Sequence, residues 1–448
     1  MQDISHIFRS YDIRGIYGKD INEEIMRKIG TAFFSFTKSA VLARDVRTSS
    51  PRLAKEFAAG FSEAGGTASD AGLLPLGVAM FHAWRSKRKL AYVTASHLPK
   101  EWNGVKFFHQ SGMGFLEKEN YRMRDIVMKG KARPKSVTKG RITEENSKKI
   151  VSDYITYVSK KIRAEQHLRI AADFGNGAGG LAGKKLLQSC GFEVVPVLET
   201  PDGAFPNRDP EPQENPLDAL KEAMERSGSD LGIAYDGDAD RMVLVAPSGR
   251  KLSAEQASYL ILSALHEKGP VVGNVECSML LDYVAKKFGR RVARIPVGHT
   301  FLVNESMKRG ACLGVESSGH YIVPLLFPFD DALSVSAYAA YALSKHQESL
   351  DKIIDGLPEY HFTRVNVPCD DRRKFIVMKN LAKRVKSDYA GVSTIDGVRI
   401  DLRSGWALVR ASNTSPLVRL SVEAETRKEM ESIRQQFMQM LNDEIKKI

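Results

Sequence analysis

Short apolar runs at 41–43, 168–174 and 271–275 each lead through a polar or glycine-bearing turn into a stretch with helical periodicity. A chain that alternates strand, turn and amphipathic helix must cover the faces of a sheet with its own helices. That confines most of it to layered α/β domains. The punctuation agrees. Asn22 stands as an N-cap before Glu23 and Glu24, with Ile25, Ile29, Ala32, Phe33 and Phe36 at helical spacing. Ser50 is expected to cap a helix opening on Pro51 and burying Leu53, Phe57 and Phe61 before Gly65 and Gly66. Asn215 and Pro216 are expected to start another that stops at Gly228.

At 448 residues the chain exceeds one ordinary core, and about three or four domains are expected. The longest apolar stretch, 73–84, contains Pro75 and His82 and falls short of the ~18 residues a membrane span needs. Met1 is followed by polar Gln2 and Asp3, so no secretion signal and a cytoplasmic location are expected. Cys190, Cys277, Cys312 and Cys369 form no Cys-x-x-Cys pair and read as reduced thiols. A formal charge of +12 suits either nucleic acid or a cleft that gathers anionic metabolites. The basic residues are dispersed without the aromatic pattern of an RNA module, so no nucleic-acid partner is expected.

Four loops carry the chemistry. The strand-like run 90–93 delivers Thr94-Ala95-Ser96-His97, and the loop continues past Pro99, Lys100 and Gly104 to Lys106. Its hydroxyl, proton-transfer groups and positive charge are what a phosphate-carrying nucleophile needs, although Ser beside His in a turn is also a common cap. Strand 231–235 runs into Asp236-Gly237-Asp238-Ala239-Asp240-Arg241. Carboxylates at alternate positions of an extended segment point to one side and repel unless a cation lies between them, which suits Mg²⁺. An EF-hand is excluded, because Arg241 and Pro247 occupy the places of its glycine and final glutamate.

The polar loops Gly298-His299-Thr300 and Glu316-Ser317-Ser318-Gly319-His320 offer donors and acceptors for sugar hydroxyls and a possible base. Arg410-Ala411-Ser412-Asn413-Thr414, with Arg419 beyond, makes an anion cradle. The turn Gly175-Asn176-Gly177-Ala178-Gly179-Gly180 formally meets the dinucleotide pattern, with Glu199 near the place of the ribose acid; a tight strand-to-helix turn needs glycines too. From about 359, runs at 362–367, 397–402, 406–411 and 416–424 read as strands, and one helix at 427–445 closes a small α+β domain.

In this order the four loops resemble those of the α-D-phosphohexomutases, most nearly the phosphomannomutase/phosphoglucomutase branch, over essentially the whole chain. The resemblance implies three related α/β domains with mixed sheets, 1–145, 146–248 and 249–357, and a smaller C-terminal α+β domain, 358–448, around a central cleft. It also implies roles. Ser96 would carry a phosphoryl group, with Mg²⁺ held against it by Asp236, Asp238 and Asp240. Glu316 and Ser318, with His299 and His320, would read the sugar, and Arg410, Ser412, Asn413, Thr414 and Arg419 would hold the substrate's phosphate. Lys106 and His320 would transfer protons, with Arg14, His97 and Arg241 as electrostatic support.

The implied reaction interconverts hexose 1- and 6-phosphates of mannose or glucose through a hexose 1,6-bisphosphate, in a monomer or homodimer. The glycine turn resembles one this family keeps without a nucleotide. The alternatives are a phosphoglucosamine mutase, a branch that more often has Gly where Asn413 stands, and a silent sugar-phosphate sensor. The family usually has Asn at Leu98 and Lys at Val303, and Phe329-Asp330-Asp331-Ala332 lacks its common Gly. These departures bear on substrate preference and rate more than on reaction type.

Overall fold

The computed structural model describes residues 4–130, 138–412 and 416–447. Four sheets follow one another along the chain. The first has six strands in the order Ile13–Ile16, Trp102–Phe108, Lys89–Val93, Ser39–Arg44, Thr67–Leu73, Ile142–Glu144. Its first two pairings are antiparallel and the rest parallel. The second, Met242–Val245, Leu231–Tyr235, Arg169–Asp173, Glu193–Val197, and the third, Val292–Ile295, Val271–Asn274, Leu313–Val315, Tyr321–Ile322, are each parallel with one antiparallel edge strand. The last sheet has five antiparallel strands with helices Lys374–Asp388 and Arg427–Lys446 packed on it. Three mixed α/β layers and a C-terminal α+β unit are thus the observed architecture.

The three α/β units share one apolar core. Tyr92 and Phe81, Phe174 and Tyr235, and Leu260 and Leu313 belong to a single continuous cluster. Helix Ala332–Ser344 runs through it with nearly every residue buried. Such a helix has no polar face, so its sequence shows no helical period, and it was not expected. The C-terminal sheet has its own core around Val377, Leu420 and Phe437. It meets the third sheet through Trp406 and Leu408 against Val275.

Several local expectations hold. Asn22 accepts a bond from the Ile25 amide at the start of Glu23–Phe33, and Gly228, at φ 64°, ends Asp218–Ser227. Others are corrected. Ser50 is the first residue of helix Ser50–Glu63 rather than its cap, because its hydroxyl bonds buried Asp45 at 2.6 Å. Asn215 caps nothing: its amide donates to the Asp209 and Glu211 carbonyls, and left-handed Leu217 precedes the helix. Gly104 and Lys106 lie on a strand instead of the serine loop, and His299 and Thr300 open helix His299–Lys308. Helix Lys374–Asp388 adds a second helix to the C-terminal unit. Among the described residues no helix is long and apolar enough to cross a membrane.

Candidate active site

Strand Lys89–Val93 hands the chain to Ser96, whose φ of +53° lies in the left-handed region. That costs a residue with a side chain about 1–2 kcal/mol, so surrounding contacts must impose it. Arg47 supplies most of them. Its guanidinium, fully buried, donates to the carbonyls of Ser96 (2.7 Å), Leu98 (2.6 Å), Pro99 (2.7 Å) and Trp102 (2.9 Å), and to Asp45 (3.1 Å). The Ser96 amide donates to the Thr94 hydroxyl at 2.7 Å, and that hydroxyl lies 2.7 Å from Asp45 Oδ2 and 3.0 Å from Asp238 Oδ2. The departure at Leu98 therefore contributes its backbone carbonyl to this clamp.

The loop faces the aspartates. Ser96 Oγ donates to Asp236 Oδ2 at 2.9 Å, and His97 Nδ1 lies 3.4 Å from the same hydroxyl. Asp236, Asp238 and Asp240 are buried and bring one oxygen each within 4.8 Å of the others. They converge through a tight turn, with Ala239 at φ +59° and Asp236 Oδ1 accepting the Asp240 and Arg241 amides. Alternation along an extended segment, the expected cause, is not how they meet.

The glycine turn buttresses this loop. The Ala178 amide donates to the Gly237 carbonyl at 2.9 Å, and a Cβ on Gly180 would sit 1.9 Å from the Glu199 carbonyl oxygen. Those glycines serve close backbone approach, and Glu199 pairs with Lys184 at 3.1 Å.

Burial, with Asp240 and Asp238 alongside, pushes Asp236 well above the usual carboxylate range. Among the described residues Asp238 Oδ1 and Asp240 Oδ1 are buried without hydrogen-bond partners. An all-oxygen, mutually repelling set with open valences fits a hard divalent cation such as Mg²⁺. Lys106, on the strand beside them, lies 2.7 Å from Asp240 and 3.4 Å from Asp238. Despite its burial, Asp238 and Asp240 raise its pKa above the ordinary lysine value, which favours its charged form beside them. Burial, Arg241 and Arg14 hold His97 far below the ordinary imidazole range. That favours the neutral ring beside the Ser96 hydroxyl. Arg14 is buried against Asp12, 2.6 Å away.

Arg241 links this cluster to the third unit. Its Nε donates to His320 Nε2 at 2.9 Å, and its Nη1 to Glu211 at 3.2 Å. Glu316 accepts from Ser318 Oγ (2.7 Å) and from the Gly298 amide (3.1 Å), which joins the two polar loops. The His299 and His320 rings stack 5.5 Å apart. Val303 is buried in an apolar cluster with Ile295 and Leu302.

On the C-terminal sheet, Arg410 and Arg419 are direct cross-strand partners. Arg410 is held by Glu276 (2.6 Å) and Asp396 (2.9 Å). Lys374 bonds the Ser412 carbonyl. Asn413 and Thr414 lie outside the described residues. A cavity of about 670 Å³ opens between Ser318, Glu276, Tyr360 and Arg364, and its lining includes neither Ser96 nor the aspartates.

Sequence reasoning passed over four participants: Arg47, Tyr11, Glu276 and Asp330. Tyr11 packs on Phe301, and a Cβ on Gly298 would meet its ring at 3.1 Å. Burial, Asp396 and Glu117 push its hydroxyl up to about 12. The paired charges of Arg44-Asp45-Val46-Arg47 between a strand and a helix were the one available signal for Arg47.

Models of the phosphoglucomutase/phosphomannomutase domains match in order: α/β/α domain I over residues 5–134, domain II over 152–249, domain III over 250–360 and the C-terminal domain over 365–440. The chain belongs to the phosphohexomutase family. A phosphomannomutase/phosphoglucomutase of Pseudomonas syringae is 32% identical over 99% of this chain and 95% of its own. A phosphoglucosamine mutase of Methanocaldococcus jannaschii is 30% identical over 97% and 98%. A crystal structure of a phosphoglucomutase/phosphomannomutase family protein from Burkholderia thailandensis superposes with a TM-score of 0.88 at 26% identity, covering 99% of this chain and 98% of that one. Named relatives of this phosphohexomutase thus fall in two branches that differ in the group at sugar C2.

Proposed function

We propose that the protein interconverts hexose 1-phosphates and hexose 6-phosphates, with glucose and mannose as the sugars, through a phosphorylated Ser96. The observation that carries the reading is the Ser96 hydroxyl turned onto Asp236 within a buried triad of carboxylates, beside the cationic Lys106. In the first half-reaction the Oγ–P bond of phosphoserine breaks as a free sugar hydroxyl forms its own bond to phosphorus and gives up its proton. The resulting hexose 1,6-bisphosphate reorients, its other phosphoryl group returns to Ser96, and the isomeric monophosphate leaves.

Asp236, Asp238 and Asp240 would hold Mg²⁺, which when bound supplies positive charge against the phosphoryl oxygens. Lys106 adds a second fixed charge, and His320 takes and returns the hydroxyl proton. Arg410 and Arg419, like charges on neighbouring strands, would take the phosphate that is not reacting, exchanging Glu276 and Asp396 for it. Because either end of the sugar must occupy that cradle, recognition falls on hydroxyls that superpose after the flip. Glu316 and Ser318 would read these and leave C2 unread.

Two measurements test the reading. Purified protein, or protein incubated with glucose 1,6-bisphosphate, should gain one phosphoryl group by intact mass, and Ser96→Ala should not. A chain that cannot be charged would instead be a sugar-phosphate sensor. Side-by-side kinetics should then convert glucose and mannose 1-phosphates with efficiencies within about tenfold, ~1.4 kcal/mol. A strong preference for glucosamine 1-phosphate would move the protein to the other branch, which its 30% identity to the M. jannaschii enzyme supports.

A further inference from the structure

His320 is 2% exposed, and its two ring nitrogens meet different neighbours. Nε2 receives the Arg241 Nε–H at 2.9 Å. A guanidinium only donates, so Nε2 must present a lone pair, and the proton of the neutral ring sits on Nδ1. Nδ1 lies 2.9 Å from Asp330 Oδ2, within ion-pair reach though not in hydrogen-bond alignment, and among the described residues neither buried atom has a hydrogen-bond partner. Asp240 Oδ1 and His299 Nδ1 stand farther off, at 3.9 Å from His320 Nδ1 and 3.8 Å from Asp330 Oδ2. Asp330 precedes the capping Asp331 of the buried helix Ala332–Ser344, so its carboxylate is carried on a rigid element.

The grouping of Asp240, His320 and Asp330 has the spacing of a metal site. A metal on Nδ1 would move the ring proton to Nε2, directly against the Arg241 N–H. The observed bond from Arg241 argues for an orienting pair instead.

We infer that Asp330 is a positioning residue that keeps the ring proton of His320 on Nδ1 and so holds the basic Nε2 toward Arg241. The inference rests on the proposed phosphoryl transfer. As Arg241 turns from Nε2 to the incoming phosphate, the sugar O–H bond breaks and its proton passes to Nε2. The new O–P bond forms as the Ser96 Oγ–P bond breaks. The imidazolium so formed faces the Asp330 carboxylate, and in the return half-reaction the proton goes back from Nε2 to the sugar oxygen that loses its phosphoryl group.

The test is ring-nitrogen NMR on ¹⁵N-labelled full-length protein, with His320 assigned by its disappearance in His320→Gln, together with steady-state kinetics. The wild type should show a protonated Nδ1 and an unprotonated Nε2. Asp330→Leu, which removes the acceptor, should shift the proton toward Nε2 and lower kcat by about 100-fold or more while KM stays within about threefold. Asp330→Asn, which keeps an acceptor without its charge, should fall between. A wild-type spectrum with the proton on Nε2, or Asp330→Leu retaining kcat within about threefold, overturns the inference. If Asp330→Leu does not fold, the wild-type spectrum and Asp330→Asn decide. Wild-type protein without any mutase turnover defeats the proposed function instead, and the tautomer is readable either way.

Discussion

Ser96 Oγ and Asp236 Oδ2 are 140 residues apart in sequence and 2.9 Å apart in space, joined by a buried hydrogen bond between the first and second α/β units. The bond puts a hydroxyl where a phosphoryl group on it would meet the carboxylates proposed to hold Mg²⁺. Ser96→Ala should therefore abolish exchange of labelled phosphate between hexose phosphate and protein and lower kcat by at least about 10⁴-fold. Its denaturant midpoint should stay near that of the wild type, because the imposed backbone strain at φ +53° is no worse for alanine.

Chelation should stop turnover reversibly, since Lys106 pairs only with Asp238 and Asp240 and leaves three buried carboxylates within 4.8 Å to be offset by a divalent cation. Mg²⁺ should also raise the melting temperature of the wild type by mass action, and Asp238→Asn should lose most of that rise together with its activity. Full activity after exhaustive EDTA treatment would make the aspartate loop structural.

Arg47 holds four carbonyls of the serine loop and the carboxylate of Asp45, itself fully buried. Replacing it with methionine leaves that carboxylate uncompensated, at a cost of about 3–5 kcal/mol. The first unfolding transition in urea should move to lower concentration. Trypsin should cut after exposed Lys100 faster than in the wild type, and unchanged cleavage there would mean that the loop holds its shape without the guanidinium.

Asp331 makes stability depend on pH. Burial raises its carboxyl from 3.8 to about 6, against the bond it accepts from Tyr154 Oη at 2.5 Å. The folded form thus binds the proton more tightly than the unfolded form. Its favourable contribution is complete below about pH 4 and is lost as pH rises through about 6, a change of roughly 3 kcal/mol. Asp331→Asn should flatten this part of the stability profile and be relatively more stable at pH 7 than at pH 4. An unchanged slope between pH 4 and 6.5 would assign the dependence to other groups.

Where an element announces itself by local chemistry, the sequence was enough. Asn22 before two glutamates, Gly228 after the last periodic residue and the apolar runs entering Thr94 and Asp236 are each decided within a few residues, by capping, left-handed backbone or strand periodicity. The misses had a common origin in burial, which depends on the whole fold. Helix Ala332–Ser344 has no polar face because three units enclose it, and Ser50 turned from capping to Asp45 because a buried carboxylate needs donors. Neither circumstance is visible locally.

Read alone, then, the sequence determined the alternating α/β units, the order of the loops and the residue types they carry, because turns, caps and motif spacing depend on near neighbours. Only the tertiary structure decided what those residues do to one another. It bonded Ser96 to Asp236, paired Lys106 with Asp238 and Asp240, set Arg47 under the serine loop and placed Asp330 behind His320. The physical reason is that hydrogen bonding and charge act over a few ångströms of space, and burial strengthens them by excluding water. The partner that sets a side chain's chemistry is whatever folding brings next to it, however distant in the chain.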